Sequence, residues 1–176
     1  MSNNEELKGL SGWLILVGIG VVMGPIRLFA TTFPLFQPIF SDGTWEALTT
    51  VGSEAYSPFW APLIIGEIVY NVAMFAALIY LAFLFFSKNY RFPFTYILIV
   101  VISLIFIPLD SWLVQFAMPD EPIWDTETAK EFFRVLIGGI IWVPYLLLSK
   151  RVKATFVEKM PNKSSQQNAS EAGASA

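Results

Sequence analysis

A chain of 176 residues that is 55% hydrophobic and 16% aromatic, with only 14% of its side chains charged, is too apolar for an ordinary water-soluble domain. It has neither cysteine nor histidine, which excludes disulfides, thiolate and imidazole catalysis and the usual zinc, haem and iron–sulfur ligand sets, so no metal or cofactor is expected. The net charge of -3 is small, and no long basic run suggests nucleic acid.

Residues 1–9 form a short polar N-terminus, and the first apolar run extends from about Leu10 to Phe33. Glu5 and Glu6 beside Lys8, and a run longer than a usual signal core, make it a retained span rather than a cleaved leader. Arg27 lies inside it, close to Pro25, with Gly20 and Gly24 on the same helical face. That GxxxG pair would permit close helix approach, as weak evidence for dimerisation. The connection from about Pro34 to Pro58 contains Asp42-Gly-Thr-Trp-Glu-Ala-Leu, either a short interfacial helix capped by Asp42 and carrying Trp45 and Leu48 inward, or a plain ordered loop.

The second span, about Phe59 to Phe86, carries Glu67 and, one turn on, Asn71. A short connection with Lys88 and Arg91 leads to the third span, about Phe94 to Met118, which holds Pro108 and Asp110. Asp125-Thr-Glu-Thr reads as a helix N-cap with Glu127 in the first turn, so the fourth helix starts outside the membrane before its apolar part, about Phe132 to Leu148. Arg134 sits near the start of that run, and Gly138, Trp142 and Tyr145 continue its stripe. Trp13, Tyr90 and Tyr145 are expected to anchor the membrane interface. Residues 158–176 are expected to form a disordered tail.

Runs this long without strict alternation must satisfy their own backbone hydrogen bonds in hydrocarbon, which points to an all-α four-helix bundle over residues 10–157. Lys8, Lys88, Arg91, Lys150, Arg151, Lys153, Lys159 and Lys163 fall on one side of it. Asp42, Glu46, Glu54, Asp120, Glu121, Asp125, Glu127 and Glu131 fall on the other, with Lys130 the one basic loop residue there. The positive-inside rule then makes both termini cytoplasmic.

Arg27, Glu67, Asp110 and Arg134 stand where an isolated charge costs a few kcal/mol or more. At about 1.5 Å per helical residue, Arg27 and Asp110 lie roughly 28 Å from the basic side, Glu67 roughly 31 Å and Arg134 roughly 24 Å. All four therefore reach the outer half of the membrane, where two cations and two carboxylates from four helices are expected to cancel in an ion-pair network, with Asn71 beside it. Such a network either fixes helix register or lines a pocket. The competing reading has both arginines snorkelling to headgroups and Asp110 reaching water, which isolates Glu67.

Two segments carry a family resemblance: Leu10-Ser-Gly-Trp-Leu-Ile-Leu-Val-Gly-Ile-Gly leading to Pro25-Ile-Arg-Leu28, and Ile141-Trp-Val-Pro-Tyr-Leu-Leu-Leu-Ser-Lys-Arg-Val-Lys-Ala-Thr-Phe156. The chain resembles the bacterial membrane proteins grouped as domain of unknown function 2569, over about Gly9 to Val157. Ser11 stands where the family's opening has another glycine. The resemblance implies four spans and a bacterial inner-membrane location, and no activity. The basic end at Lys150, Arg151 and Lys153 suits the helix dipole and anionic lipid, with a partner-docking stub as the alternative.

The leading functional expectation is a non-enzymatic accessory or assembly protein, with the bilayer, a membrane-protein partner or a second copy of the chain as its surroundings. A carrier or lipid-binding protein using the charged cluster is the alternative. An intramembrane enzyme with Glu67 and Asp110 as acid and base ranks third, because arginine pairing would make them poor general acids.

Overall fold

The computed structural model describes residues 8–120 and 122–157; the tail expected at 158–176 and the first seven residues lie outside them. The architecture is all-α, with four long apolar helices of the kind that form a membrane four-helix bundle. These are α1 (Trp13–Ser41), α3 (Trp60–Phe86), α4 (Phe92–Val114) and α5 (Thr126–Leu148), joined by the short α2 (Thr44–Thr49) and followed by α6 (Lys150–Thr155).

The first helix runs to Ser41, well past the expected end near Phe33, with Pro34 and Pro38 inside it. Each proline removes only one backbone donor, leaving the carbonyls of Ala30 and Pro34 without their usual partners, while one turn earlier the Thr31 hydroxyl donates back to the carbonyls of Arg27 (3.0 Å) and Leu28 (3.2 Å). The following connection is correspondingly shorter, and within it the short helix α2 forms, with Gly43 rather than the expected Asp42 at its N-cap position. Asp42 Oδ1 accepts from the Thr44 amide at 3.0 Å, and Trp45 turns back to stack on Phe40 at 5.4 Å.

Between α3 and α4 the chain reverses through Lys88, whose φ of 49° is left-handed. The Asn89 amide returns to Leu84 O at 2.9 Å, and Asn89 Oδ1 accepts from the Arg91 amide at 3.0 Å, which starts α4. At the far end Asp125 caps α5 as expected, accepting from the Thr128 amide at 2.6 Å. α5 stops at Ser149, which is extended (ψ 123°) and caps the next turn by accepting from the Val152 amide.

That break sends α6 beneath the bundle, where it buries Val152, Thr155 and Phe156. Phe156 stacks on Phe92 (centroids 4.6 Å) and tilts against Phe85 (5.8 Å). Thr155 Oγ1 both accepts from the Gly9 amide (3.2 Å) and donates to Gly9 O (3.3 Å), and Arg151 donates to Ser11. The N-terminal segment, the α3–α4 turn and α6 therefore share one end of the molecule, the basic one.

Burial is densest there, with Leu14, Leu84, Phe85, Phe92, Leu146 and Val152 all at 2% exposure or less, and it thins toward the acidic end. The gradient has a physical basis. Lipid tails solvate an apolar side chain as well as another helix does, so within the hydrocarbon the helices must rely on close fit. At the membrane edge, where the alternative is water, burying a side chain such as Phe156 stabilises by about 1.5–3 kcal/mol.

Close fit is found at Gly18, where an added Cβ would lie 2.9 Å from Phe85 Cε1, and at Gly139, where it would lie 3.0 Å from Val100 Cγ1. The glycines singled out from sequence behave differently. Gly24 meets Leu78 at an ordinary 3.6 Å, while Gly20 and Gly138 face open space. The GxxxG face is therefore only half engaged within the chain.

Candidate functional site

α1 packs on α3, α3 on α4 and α4 on α5, while α1 and α5 make no comparable backbone approach. The α1–α5 seam is bridged instead by long side chains. Near the basic end Trp13 meets Trp142 edge-on at 6.5 Å. Farther along, Arg27 Nη2 donates to Glu131 Oε2 at 2.7 Å. Arg134, one turn along α5 from Glu131, pairs with the same carboxylate oxygen.

The pairing differs from the expected four-charge network. Both arginines are drawn to Glu131, a residue that the charge count along the sequence had placed with the external loop acids. Glu67 and Asp110 are left to each other, two carboxyl groups close enough across the α3–α4 contact to influence one another. The reason lies in the packing order, since α3 adjoins α4 while Arg27 lies on the seam facing α5. The i,i+3 spacing of Glu131 and Arg134 was the signal that could have found the missed residue.

Asn71 is held by Glu67, whose backbone carbonyl accepts from Nδ2 at 2.9 Å, and its Oδ1 accepts from the Thr32 hydroxyl of α1 at 3.4 Å. One residue earlier, Tyr70 lies flat on Phe106 of α4 at 3.4 Å between centroids and reaches Ser103 at 3.5 Å. Polar contacts from α1 through α3 to α4 thus surround the carboxyl pair. Arg27, Glu131 and Arg134 sit apart from it, and their side chains are 41%, 47% and 49% exposed.

Two cations against one carboxylate leave the seam with a net positive charge that suits a carboxylate or phosphate. A carboxyl pair needs a proton, or a cation, between its two acceptors. Among the described residues no three metal-ligating side chains converge. Outside the seam, Trp124, Lys130, Phe133 and Arg134 border a shallow concavity of about 670 Å³. Its cations are already paired, Lys130 with Glu127 at 2.7 Å and Arg134 with Glu131.

At the basic end Lys150 and Lys153 are exposed, while Arg151 is turned toward Ser11. The stub that carries them is docked on its own bundle through Val152 and Phe156.

The sequence model of a family described as "Protein of unknown function (DUF2569)" matches residues 7–157. No curated protein and no solved structure matches the chain.

Proposed function

The chain belongs to the DUF2569 family, bacterial inner-membrane proteins with four spans, and from that premise we propose that it is a non-enzymatic accessory or assembly protein whose α1–α5 seam receives a partner's transmembrane helix. The observation that carries this reading is the half-exposed Arg27–Glu131 pair. Arg27 lies about 21 Å along α1 from Trp13, still within a hydrocarbon layer of about 30 Å. A half-exposed ion pair at that depth faces lipid at a cost of a few kcal/mol unless a polar group from another molecule covers it.

Native mass spectrometry of the protein, gently extracted from its own membranes, tests the reading. A stoichiometric protein partner that is lost on Glu131→Gln supports it. A wild-type protein that comes out alone from such membranes opposes it. Both termini are assigned to the cytoplasm on the strength of the basic end and the positive-inside rule. Because the chain has no cysteine, a single Lys153→Cys substitution reports the side: labelling by an impermeant maleimide from outside would reverse the assignment.

A second reading has its own support. Glu67 and Asp110 neighbour each other while both arginines pair with Glu131, and intramembrane carboxylates of this kind are used by carriers of protons and cations. A proton or cation flux in proteoliposomes that disappears with Glu67→Gln favours it; a flux indifferent to that change removes it.

A further inference from the structure

At the basic end, where α3 leaves the membrane and α4 enters it, a cavity of about 260 Å³ is lined by Tyr80, Phe83, Leu84, Asn89, Tyr90 and Arg91. Its polar groups point one way chemically. Arg91 Nε donates to the Tyr90 hydroxyl at 3.1 Å, with the guanidinium carbon 5.6 Å from the Tyr90 ring centroid, and Tyr80 lines the same space beside the guanidinium. A phenol that accepts from arginine keeps its own O–H to donate. Asn89 is only 5% exposed, and its side-chain bond uses Oδ1, which leaves Nδ2 to donate into the cavity among the described residues.

Among the described residues no carboxylate lines the cavity, so it offers a planar cation and three further donors. That set matches a phosphoryl oxyanion, which arginine recognises through its fork of N–H groups. The position selects the source of the phosphate. Phe83, Phe86 and Phe94 are exposed on the flanking helix ends at 57%, 59% and 70%, where acyl chains would run. We infer that this cavity binds the phosphodiester headgroup of an anionic phospholipid, with Arg91 holding the charge and Tyr80, Tyr90 and Asn89 donating to its oxygens. The site lies at the opposite end from the exposed Arg27–Glu131 pair and does not depend on the accessory role.

The test uses the full chain in neutral detergent, offered equal amounts of phosphatidylglycerol and phosphatidylcholine, with bound lipid read by native mass spectrometry. Wild type is expected to retain phosphatidylglycerol preferentially. Arg91→Gln is expected to lose about tenfold of that preference, as for one charge-assisted contact. Tyr80→Phe should lose a smaller part, and Arg91→Lys, which keeps charge but not the fork, should fall between wild type and Arg91→Gln. Lys153→Gln, an exposed basic residue outside the cavity, should keep the full preference. An unchanged preference in Arg91→Gln, or an equal loss in Lys153→Gln, overturns the site. So does a rise in melting temperature of the lipid-free protein with inorganic phosphate alone, which would make it a soluble-anion site. Melting of each variant in the same detergent separates loss of the site from loss of the fold.

Discussion

Gly18 of α1 and Phe85 of α3 are in such close contact that a methyl group on the glycine would lie 2.9 Å from the ring. Phe85 cannot yield, because it is 2% exposed and wedged edge-on against Phe92 at 5.1 Å. Gly18→Ala is therefore expected to destabilise the protein by about 1–3 kcal/mol, the usual cost of overpacking. Gly20→Ala, facing open space, should melt like wild type in the same detergent, and equal melting of the two variants would refute the contact.

Phe156 ties α6 to two helices at once. Replacing it by alanine removes its ring contacts with both Phe92 and Phe85 and should cost about 3 kcal/mol. The loss should be local first. Hydrogen exchange of the Lys153 to Phe156 amides is expected to accelerate before that of α3, and uniform acceleration of all helices would show that α6 is no separate unit.

Asp125 gives a pH dependence with a definite sign. The hydrogen bonds from Thr128 to its carboxylate hold its proton affinity below the ordinary carboxylate value. A folded-state pKa below the unfolded one means that the cap contributes fully above the unfolded value near 4 and is lost as pH falls through the folded value. Asp125→Ala should cost about 1 kcal/mol at neutral pH. Asp125→Asn retains an acceptor and should flatten the acid limb of the melting curve, and an unaltered acid limb in that variant would assign the dependence elsewhere.

Glu131 serves two arginines, so its loss should exceed that of either. Glu131→Gln leaves Arg27 and Arg134 without their shared partner, whereas Arg27→Gln leaves Glu131 still paired with Arg134. The double variant should be less destabilised than the sum of the singles, with a coupling of about 0.5–3 kcal/mol. Strict additivity in a double-mutant cycle by denaturant or thermal melting would mean that the pair contributes nothing.

The spans were legible because hydropathy over about 20 residues is a strong signal, and the cap at Asp125 because its side-chain chemistry is local. What escaped was whatever depended on neighbours in space. Pro34 and Pro38 read as breakers, yet α1 continues through them to Ser41, each costing the helix one backbone donor. Glu131 read as a loop charge because only folding brings Arg27 to it. Val152 and Phe156 lie among basic residues whose composition suggests a solvated end, and the Ser149 break that turns them under the bundle is one residue long. Helix faces were equally hidden: in a chain apolar on all sides, nothing in the spacing distinguishes the packed Gly18 from the open Gly20.

The docking of α6 also sets an order of events in synthesis. Phe156 follows all four spans in the chain, and its ring packs against both Phe85 and Phe92, which are already in contact with each other. Until that residue has left the ribosome, the basic end of the bundle has no closing side chain, and the four helices enter the bilayer as a set still able to separate sideways.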